Sequence, residues 1–357
     1  MKTEFVFKLL ISMVDFLIAG AAAAVLSAGI ASLLIPLGRK LRLVDAPFTA
    51  ARKVHKEPIV LIGGLAIVAA VVTSLAVAAN IAPHLIPILS IEKWFALATA
   101  VFVIMVFGVL DDRFSLAPSV QIIGPIIASI IICLSGVVVT TVTNPLGGTI
   151  SFSEIPLIAG AITFCWLMGM MYSTKLLDGL DGLSTGLSGI GALMIFALTQ
   201  TDRFFEPRVG FVAVIFAGAC FGFLVLNFNP ARAFLGEGGS LFVGLMLAIL
   251  AVLSGSKIAT ALIVMALPVI DVARVIISRK LRGHSIFVGD DQHLHHLLLA
   301  NGLSHRSAVL FYYAVGLLFG ILALFLQSKG KIVLLGILVV FGIALAHLLR
   351  NRNKKVV

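Results

Sequence analysis

Two aspartates three apart, Asp178 and Asp181, stand in LLDGLDGLSTG (176–186) with long apolar runs on both sides. On a helix, residues at i and i+3 share a face, so both carboxylates can meet one ligand. Gly179, Gly182 and Gly186 let backbone approach that ligand closely, and exposed N–H groups suit phosphate. The plainer alternative is a glycine-rich loop capped by aspartate. A second pair, Asp111 and Asp112, closes an apolar run in GVLDDRFSL (108–116). At a helix end both can turn toward one site, where two carboxylates bind a divalent ion or one acts as a base. A charge costs ~2.5–3.5 kcal/mol at the bilayer centre and less near the interface, so a solvated helix end also fits them.

Two further stretches carry polar chemistry. In NFNPARAFLGEGGSLFVG (227–244), Pro230 ends a helix and Glu237 sits in a glycine-rich turn that opens the next. Ser240 is a candidate cap there. Helix N-termini attract anions, and Phe234 is placed to stack on a base. In RKLRGHSIFVGDDQHLHHLLLANGLSHRS (279–307), His293, His295 and His296 cluster downstream of Arg279, Lys280 and Arg282. Their spacing matches no usual structural zinc pattern. Imidazoles beside arginines suit phosphate better; a basic loop lying on anionic lipid is the alternative.

The elements that must hold these residues are membrane helices. Of 357 residues, 60% are hydrophobic and 12% charged, with a mean hydropathy of +1.15. A soluble chain carries far more charge. A spanning helix needs about 20 apolar residues, and eleven runs qualify: 13–37, 60–81, 94–110, 119–140, 156–172, 183–199, 208–227, 239–254, 257–277, 308–326 and 332–349. The expected fold is therefore an all-α polytopic membrane protein of about eleven transmembrane helices. It forms a single integral membrane domain over 1–357, with 278–307 as a long loop between helices nine and ten. The first run is too long for a signal-peptide core and reads as a retained helix. Cys133, Cys165 and Cys220 each lie in an apolar run and read as buried thiols.

Charge orients the bundle. With eleven spans, only Lys2, Lys8, Lys93, Arg203, Arg208, Lys257, Lys329 and Lys331 fall on one face, and the other eighteen of the 26 basic residues fall on the opposite one. The richer face is expected to be cytoplasmic, which puts the N-terminus outside and the C-terminus inside. The net charge of +10 then belongs to membrane loops and not to a nucleic-acid surface. All four polar stretches fall on that cytoplasmic face. Together they offer carboxylates for Mg²⁺, turns for a diphosphate, an aromatic for a base and a basic loop. That is equipment for a nucleoside-diphosphate substrate, with a membrane lipid as the second.

The ordered set RKVHKEP…GGLAI, GVLDD, DGLDGL, NPARAFLGEGGS and HLHH resembles the polyprenyl-phosphate N-acetylhexosamine-1-phosphate transferases, a glycosyltransferase 4 type, over about residues 34 to 310. The HLHH form looks like the N-acetylglucosamine branch. The resemblance implies transfer of a sugar 1-phosphate from a UDP-sugar to polyprenyl (undecaprenyl) phosphate. Such a step uses Mg²⁺, or Mn²⁺ in its place, releases UMP and starts a cell-envelope glycan at the inner (cytoplasmic) membrane. By position it implies Asp111 and Asp112 as catalytic carboxylates and Asp181 and Glu237 as metal ligands. Asp178, Gly179, Gly182, Lys175 and Phe234 would bind the nucleotide. Arg282, His293, His295, His296 and Asn227 would meet phosphate and sugar, and Arg52, Lys53 and His55 the lipid phosphate. Family members are often dimeric, so a homodimer is implied with no residue marking its interface.

Several positions depart from the family pattern. Leu61 replaces an expected Arg, Gln121 an expected Lys, Tyr172 and Lys175 two expected asparagines, and Glu237 an expected Asp. Lys175 could restore the cation lost at Gln121. A transporter would carry charge near the midplane at matched broken helices; here charge sits at helix ends with no internal repeat, and Asp15 is the exception. A catalytically silent lipid- or nucleotide-binding protein of the same fold is the other rival, and the substitutions are its support.

Overall fold

The computed structural model describes residues 2–45, 58–86, 89–144, 148–255, 258–281, 283 and 293–353. Arg52, Lys53, His55 and Arg282 lie outside them. The described chain runs α1 (Lys2–Lys40), β1 (Val44–Asp45), β2 (Ile59–Leu61), α2 (Gly63–Ile81), α3 (Ile91–Phe114), α4 (Pro118–Gln121) and α5 (Ile123–Leu134). It continues with β3 (Thr141–Thr143), β4 (Thr149–Ser151), α6 (Pro156–Leu177), α7 (Leu183–Thr199), α8 (Pro207–Asn227), β5 (Ala233–Phe234) and α9 (Glu237–Leu253). It ends with α10 (Ile258–Val264), α11 (Ala266–Leu281), α12 (Leu294–Ala300), α13 (His305–Phe325) and α14 (Ser328–Asn353).

Every one of the eleven apolar runs contains helix, and the fold is a helical polytopic bundle. The expected count of eleven spans does not follow. Among the described residues seven helices are long and apolar enough to cross a membrane, or eight if α10 and α11, bent by 76°, are one span. The other three apolar segments, α4–α5, α7 and α9, are shorter. α7 and α9 are 17 residues each, about 25 Å at 1.5 Å per residue. They can be short because they are interior: nearly every residue of α9 is buried. α8 is also enclosed, packing on α1, α2 and α7. The outer helices instead turn large side chains outward, such as Leu33, Ile81, Leu157 and Phe325. In a bilayer that surface is matched to lipid.

Two details correct the sequence reading. The stretch 278–307 is not one loop: α11 continues to Leu281 and α12 forms within it. All three cysteines are free, but only Cys220 is buried and Cys165 is exposed.

Glycine pairs bring the central helices together. A Cβ on Gly108 of α3 would stand 2.2 Å from the N and Cα of Gly238, and one on Gly64 of α2 would stand 2.5 Å from the Cα of Gly239. Backbones can approach this closely only where both residues are small. This contact draws the start of α9 against the end of α3 and so sets Glu237 beside Asp112. Gly108→Ala is expected to lower stability by at least the ~1–3 kcal/mol typical of overpacking, because backbone and not a flexible side chain must yield. Thermal unfolding of the detergent-solubilised protein checks this; an unchanged midpoint would show the helices free to separate.

A small sheet that periodicity does not reveal closes the polar end. β2 pairs antiparallel with β1 and parallel with β5, with Leu61 opposite Phe234. It ties the chain after α1 to the segment between α8 and α9.

Candidate active site

The ends of α1, α3, α6 and α8 and the starts of α9 and α13 meet around a cavity of about 870 Å³. Its walls include Asp112, Lys175, Asp178, Gly179, Asp181, Asn227, Phe234, Glu237 and His296. These are all sequence-predicted residues, brought together from four separated stretches. Asp111, Gly182, His293 and His295 are not in its lining.

The two adjacent aspartates divide. Asp111 accepts from the Leu116 N–H at 2.7 Å and from Gln121 Nε2 at 3.0 Å. It closes the end of α3 and holds Gln121. Asp112 faces the cavity and accepts from the Glu237 N–H at 2.9 Å. Gln121 Oε1 accepts from Lys175 Nζ at 2.9 Å, and the same ammonium forms an ion pair with Glu237. It also lies 5.6 Å from the centre of the Tyr172 ring, within cation–π range. A chain of polar contacts thus runs Asp111–Gln121–Lys175–Glu237–Asp112. The cation expected to compensate for Gln121 is bonded to Gln121.

The Asp178–Asp181 turn leaves α6 and enters α7 through Gly182, whose φ of +83° suits glycine. Asp181 is held on two sides. Its Oδ2 accepts from Asn229 Nδ2 at 2.8 Å and from the Ala231 N–H at 3.2 Å. Its own N–H donates to His305 Nε2 at 2.8 Å, so the proton of a neutral His305 is on Nδ1. Asp178 has no hydrogen-bond or ion-pair partner among the described residues. Its carboxyl is pushed up to about 8, by burial first and then by the charges of Glu237, Asp112 and Asp181. Asn227 has a different task from the expected phosphate or sugar contact. Although it reaches the wall, its Oδ1 accepts from Thr185 Oγ1 at 2.7 Å and its Nδ2 donates to the Ala233 carbonyl at 3.0 Å, which ties α7 to β5.

The histidine cluster also divides. His293 Nδ1 lies 2.9 Å from Asp271 Oδ2. His295 is buried against Gly179, where a glycine Cβ would stand 2.8 Å from its Nε2. Burial, then His296 and His293, pushes His295 down to about 3, so the ring is neutral. Only His296 reaches the cavity. Gly179 is therefore needed as much for His295 as for any ligand.

Sequence reasoning missed Arg39, Arg232, Asn229 and His305 in the cavity wall and Asp271 behind it. The arginines looked like ordinary cytoplasmic charge. His305 stood nine residues beyond the nearest histidine pair, with nothing local to mark it.

A divalent cation is a reasonable test of this donor set. No group of three His, Cys, Asp or Glu among the described residues forms a ready-made cage. Mg²⁺ is commonly held by one or two carboxylates, with phosphate oxygens and waters completing six positions. The crowded carboxylates, and Asp178 above all, are what such a site requires. Asp178 and Asp181 fit the ion. Glu237, also expected as a ligand, pairs with Lys175 through one oxygen, Oε1.

The fold is a helical membrane bundle with a polar cavity at its helix ends. Residues 94–255 match the model of glycosyl transferase family 4. The chain is 31% identical over 325 residues to the probable undecaprenyl-phosphate N-acetylglucosaminyl 1-phosphate transferase of Bacillus subtilis, covering 88% of this chain and 87% of that protein. It is 33% identical over 344 residues to the decaprenyl-phosphate N-acetylglucosaminephosphotransferase of Mycobacterium tuberculosis H37Rv, covering 87% of this chain and 84% of that one. A phospho-N-acetylmuramoyl-pentapeptide-transferase of Halalkalibacterium halodurans is 36% identical over 48% of the chain and 55% of its own length. This chain belongs to glycosyl transferase family 4 and is a sugar-phosphate transferase.

Proposed function

We propose that the enzyme transfers N-acetylhexosamine 1-phosphate, with N-acetylglucosamine as the leading sugar, from a UDP-sugar to polyprenyl phosphate at the cytoplasmic face, releasing UMP. The observation that carries this is the cavity itself, where Asp178, a carboxylate with no hydrogen-bond or ion-pair partner among the described residues, stands with Asp181, Lys175 and Phe234 at the polar helix ends. The names of the relatives support the sugar and the lipid. The basic residues at this polar end, Arg39, Lys175 and Arg232 in the cavity wall among them, support its orientation.

In this reading an oxygen of the lipid phosphate attacks the β-phosphorus of the donor. An O–P bond forms, the bond from that phosphorus to the bridging oxygen breaks, and UMP leaves with the electron pair. A phosphate monoester is already anionic near pH 7, so the chain has little proton to remove. Asp112, facing the cavity, orients the lipid phosphate or takes its last proton. Asp178 and Asp181 would hold Mg²⁺, which would supply charge to offset that on the leaving phosphate. Lys175 turns its ammonium from Glu237 toward the diphosphate. Arg39 and Arg232 offer further donors from the wall, and Phe234 stacks on uracil. His296 contacts the sugar phosphate. Catalysis is then mainly positioning and electrostatics.

The test is UMP release by purified protein given polyprenyl phosphate, Mg²⁺ and a panel of UDP-sugars. Release with one donor, abolished by chelation, is expected. No release with any donor, from protein that still binds the lipid, would sink the reading and leave a silent binding protein. Uptake into sealed vesicles without UMP release would make it a transporter.

A further inference from the structure

Asp271 lies on α11, outside the cavity, and is only 5% exposed. A buried carboxylate needs several partners, and this one has three. Its Oδ1 accepts from Arg274 Nη2 at 2.8 Å, one turn away. Its Oδ2 accepts from the Leu294 N–H at 2.9 Å and faces His293 Nδ1 at 2.9 Å. The Arg274 contact is local to α11 and would serve any helix. The other two cross to the start of α12, and nothing in the stability of α11 calls for them.

α12 is a 7-residue helix, too short to hold its own shape in water. His293 precedes it and offers no side-chain cap. Asp271 supplies that cap from another element and, as an ionised acceptor, fixes the His293 ring with its proton on Nδ1. The His293 ring stacks on His295, with planes 9° apart and centres 5.6 Å apart. His295 rests on Gly179 within the Asp178–Asp181 turn. His296, 4.2 Å from His295 between ring centres, looks into the cavity. One continuous set of contacts therefore runs from Asp271 to the carboxylate turn on one side and to the cavity histidine on the other.

We propose that Asp271 is a positioning residue for the phosphotransfer: by capping α12 and orienting His293, it seats His295 against Gly179 and so holds His296 and the Asp178–Asp181 turn around the diphosphate. The inference rests on the function proposed above. A displacement near 1 Å at a reacting centre costs about a hundredfold in rate, and that is the loss expected for Asp271→Ala.

The experiment compares Asp271→Ala, Asp271→Asn, His293→Ala and the double Asp271→Ala/His293→Ala variant in detergent. It follows kcat and KM for UMP release alongside backbone hydrogen exchange over 178–183 and 294–298. The expected result is a kcat loss of about a hundredfold in each alanine variant, no further loss in the double variant, and faster exchange in both segments than in the rest of the chain, in protein that melts lower, since Arg274 loses its partner, but is still folded at the assay temperature. Asp271→Asn, which keeps size and an acceptor, should recover part of kcat; it also serves if the alanine variant does not fold. Wild-type kcat in the folded single variants, additive losses, or unchanged exchange at 178–183 would overturn the proposal. If the wild-type protein releases no UMP, the proposed function fails on its own, and the exchange measurement still decides whether Asp271 holds the turn.

Discussion

Asp178→Asn is expected to lower turnover by about a hundredfold to a thousandfold and, in the same protein, to raise the thermal stability of the metal-free form. Both effects have one cause. Burial first, and then the charges of Glu237, Asp112 and Asp181, push the Asp178 carboxyl up from 3.8 to about 8. A group that holds its proton more tightly when folded opposes folding once the pH passes its unfolded value, and the opposition grows until the pH passes its folded value. The metal-free enzyme should therefore lose stability as pH rises from about 4 to about 8. Asparagine carries no charge, so the slope should flatten. A bound divalent ion removes the same repulsion, so Mg²⁺ should stabilise the wild type most at the alkaline end of that range, by mass action, and the variant much less.

The activity half of this prediction is larger. A metal at a departing phosphate is worth several kcal/mol of charge stabilisation. At 1.36 kcal/mol per tenfold, loss of one of its two carboxylates should lower kcat by about a hundredfold to a thousandfold. Unfolding curves at pH 6 and pH 8.5, with and without Mg²⁺, and UMP release by the same samples test both halves. Near-normal turnover in Asp178→Asn, or an unchanged pH slope, would remove Asp178 from the metal site. Asp181→Asn should also lower turnover, but without the gain in stability. Its Oδ2 already accepts two hydrogen bonds, which an asparagine oxygen keeps only as a weaker, uncharged acceptor.

Lys175→Ala is the second large effect. The ammonium joins Gln121 Oε1 to Glu237 and lies over Tyr172. Its removal strands Glu237 as a buried unpaired carboxylate, a change that typically costs about 3–5 kcal/mol. Pairing it with Glu237→Gln should return most of that stability. It should not return activity, because the cation for the diphosphate is still missing, and a loss of about a hundredfold in kcat/KM is expected to persist. Moving the cation instead, with Gln121→Lys and Lys175→Asn together, should restore activity in part, since the two side chains touch at 2.9 Å. The measurements are melting points and kcat/KM for the three proteins. Full activity in Lys175→Ala/Glu237→Gln would show that the lysine only neutralises the glutamate.

Much of the site was legible because charged residues at the ends of apolar runs have few other reasons to be there. Asp112, Asp178, Asp181, Lys175, Phe234 and His296 all line one cavity, as their shared face implied. What misled was the assumption that neighbours share a task. Asp111 and Asp112 are adjacent, yet one caps α3 and the other faces the cavity. His295 and His296 are adjacent, yet one is buried against Gly179 and the other is in the wall. Successive residues on a helix point about 100° apart, and spacing alone does not say which direction faces the ligand. The glycines were misread in a related way. Gly238 and Gly239 were taken as part of a ligand turn, but they let α9 touch α3 and α2.

By itself the sequence determined that the protein is a helical membrane bundle, that its chemistry lies at one set of helix ends, and which carboxylates and histidines are available there. Those properties follow from the cost of placing charge in hydrocarbon, which any linear stretch displays. Only the tertiary structure decided which of them meet. The Lys175–Gln121 bond spans 54 positions and the Asp181–His305 bond 124. Asp271 shows no sign of its role until α12 is seen capped by it. Contacts of that range depend on how far helices approach and how each is rotated. Those are set by small-residue packing in the bundle interior, far from the residues that do the chemistry.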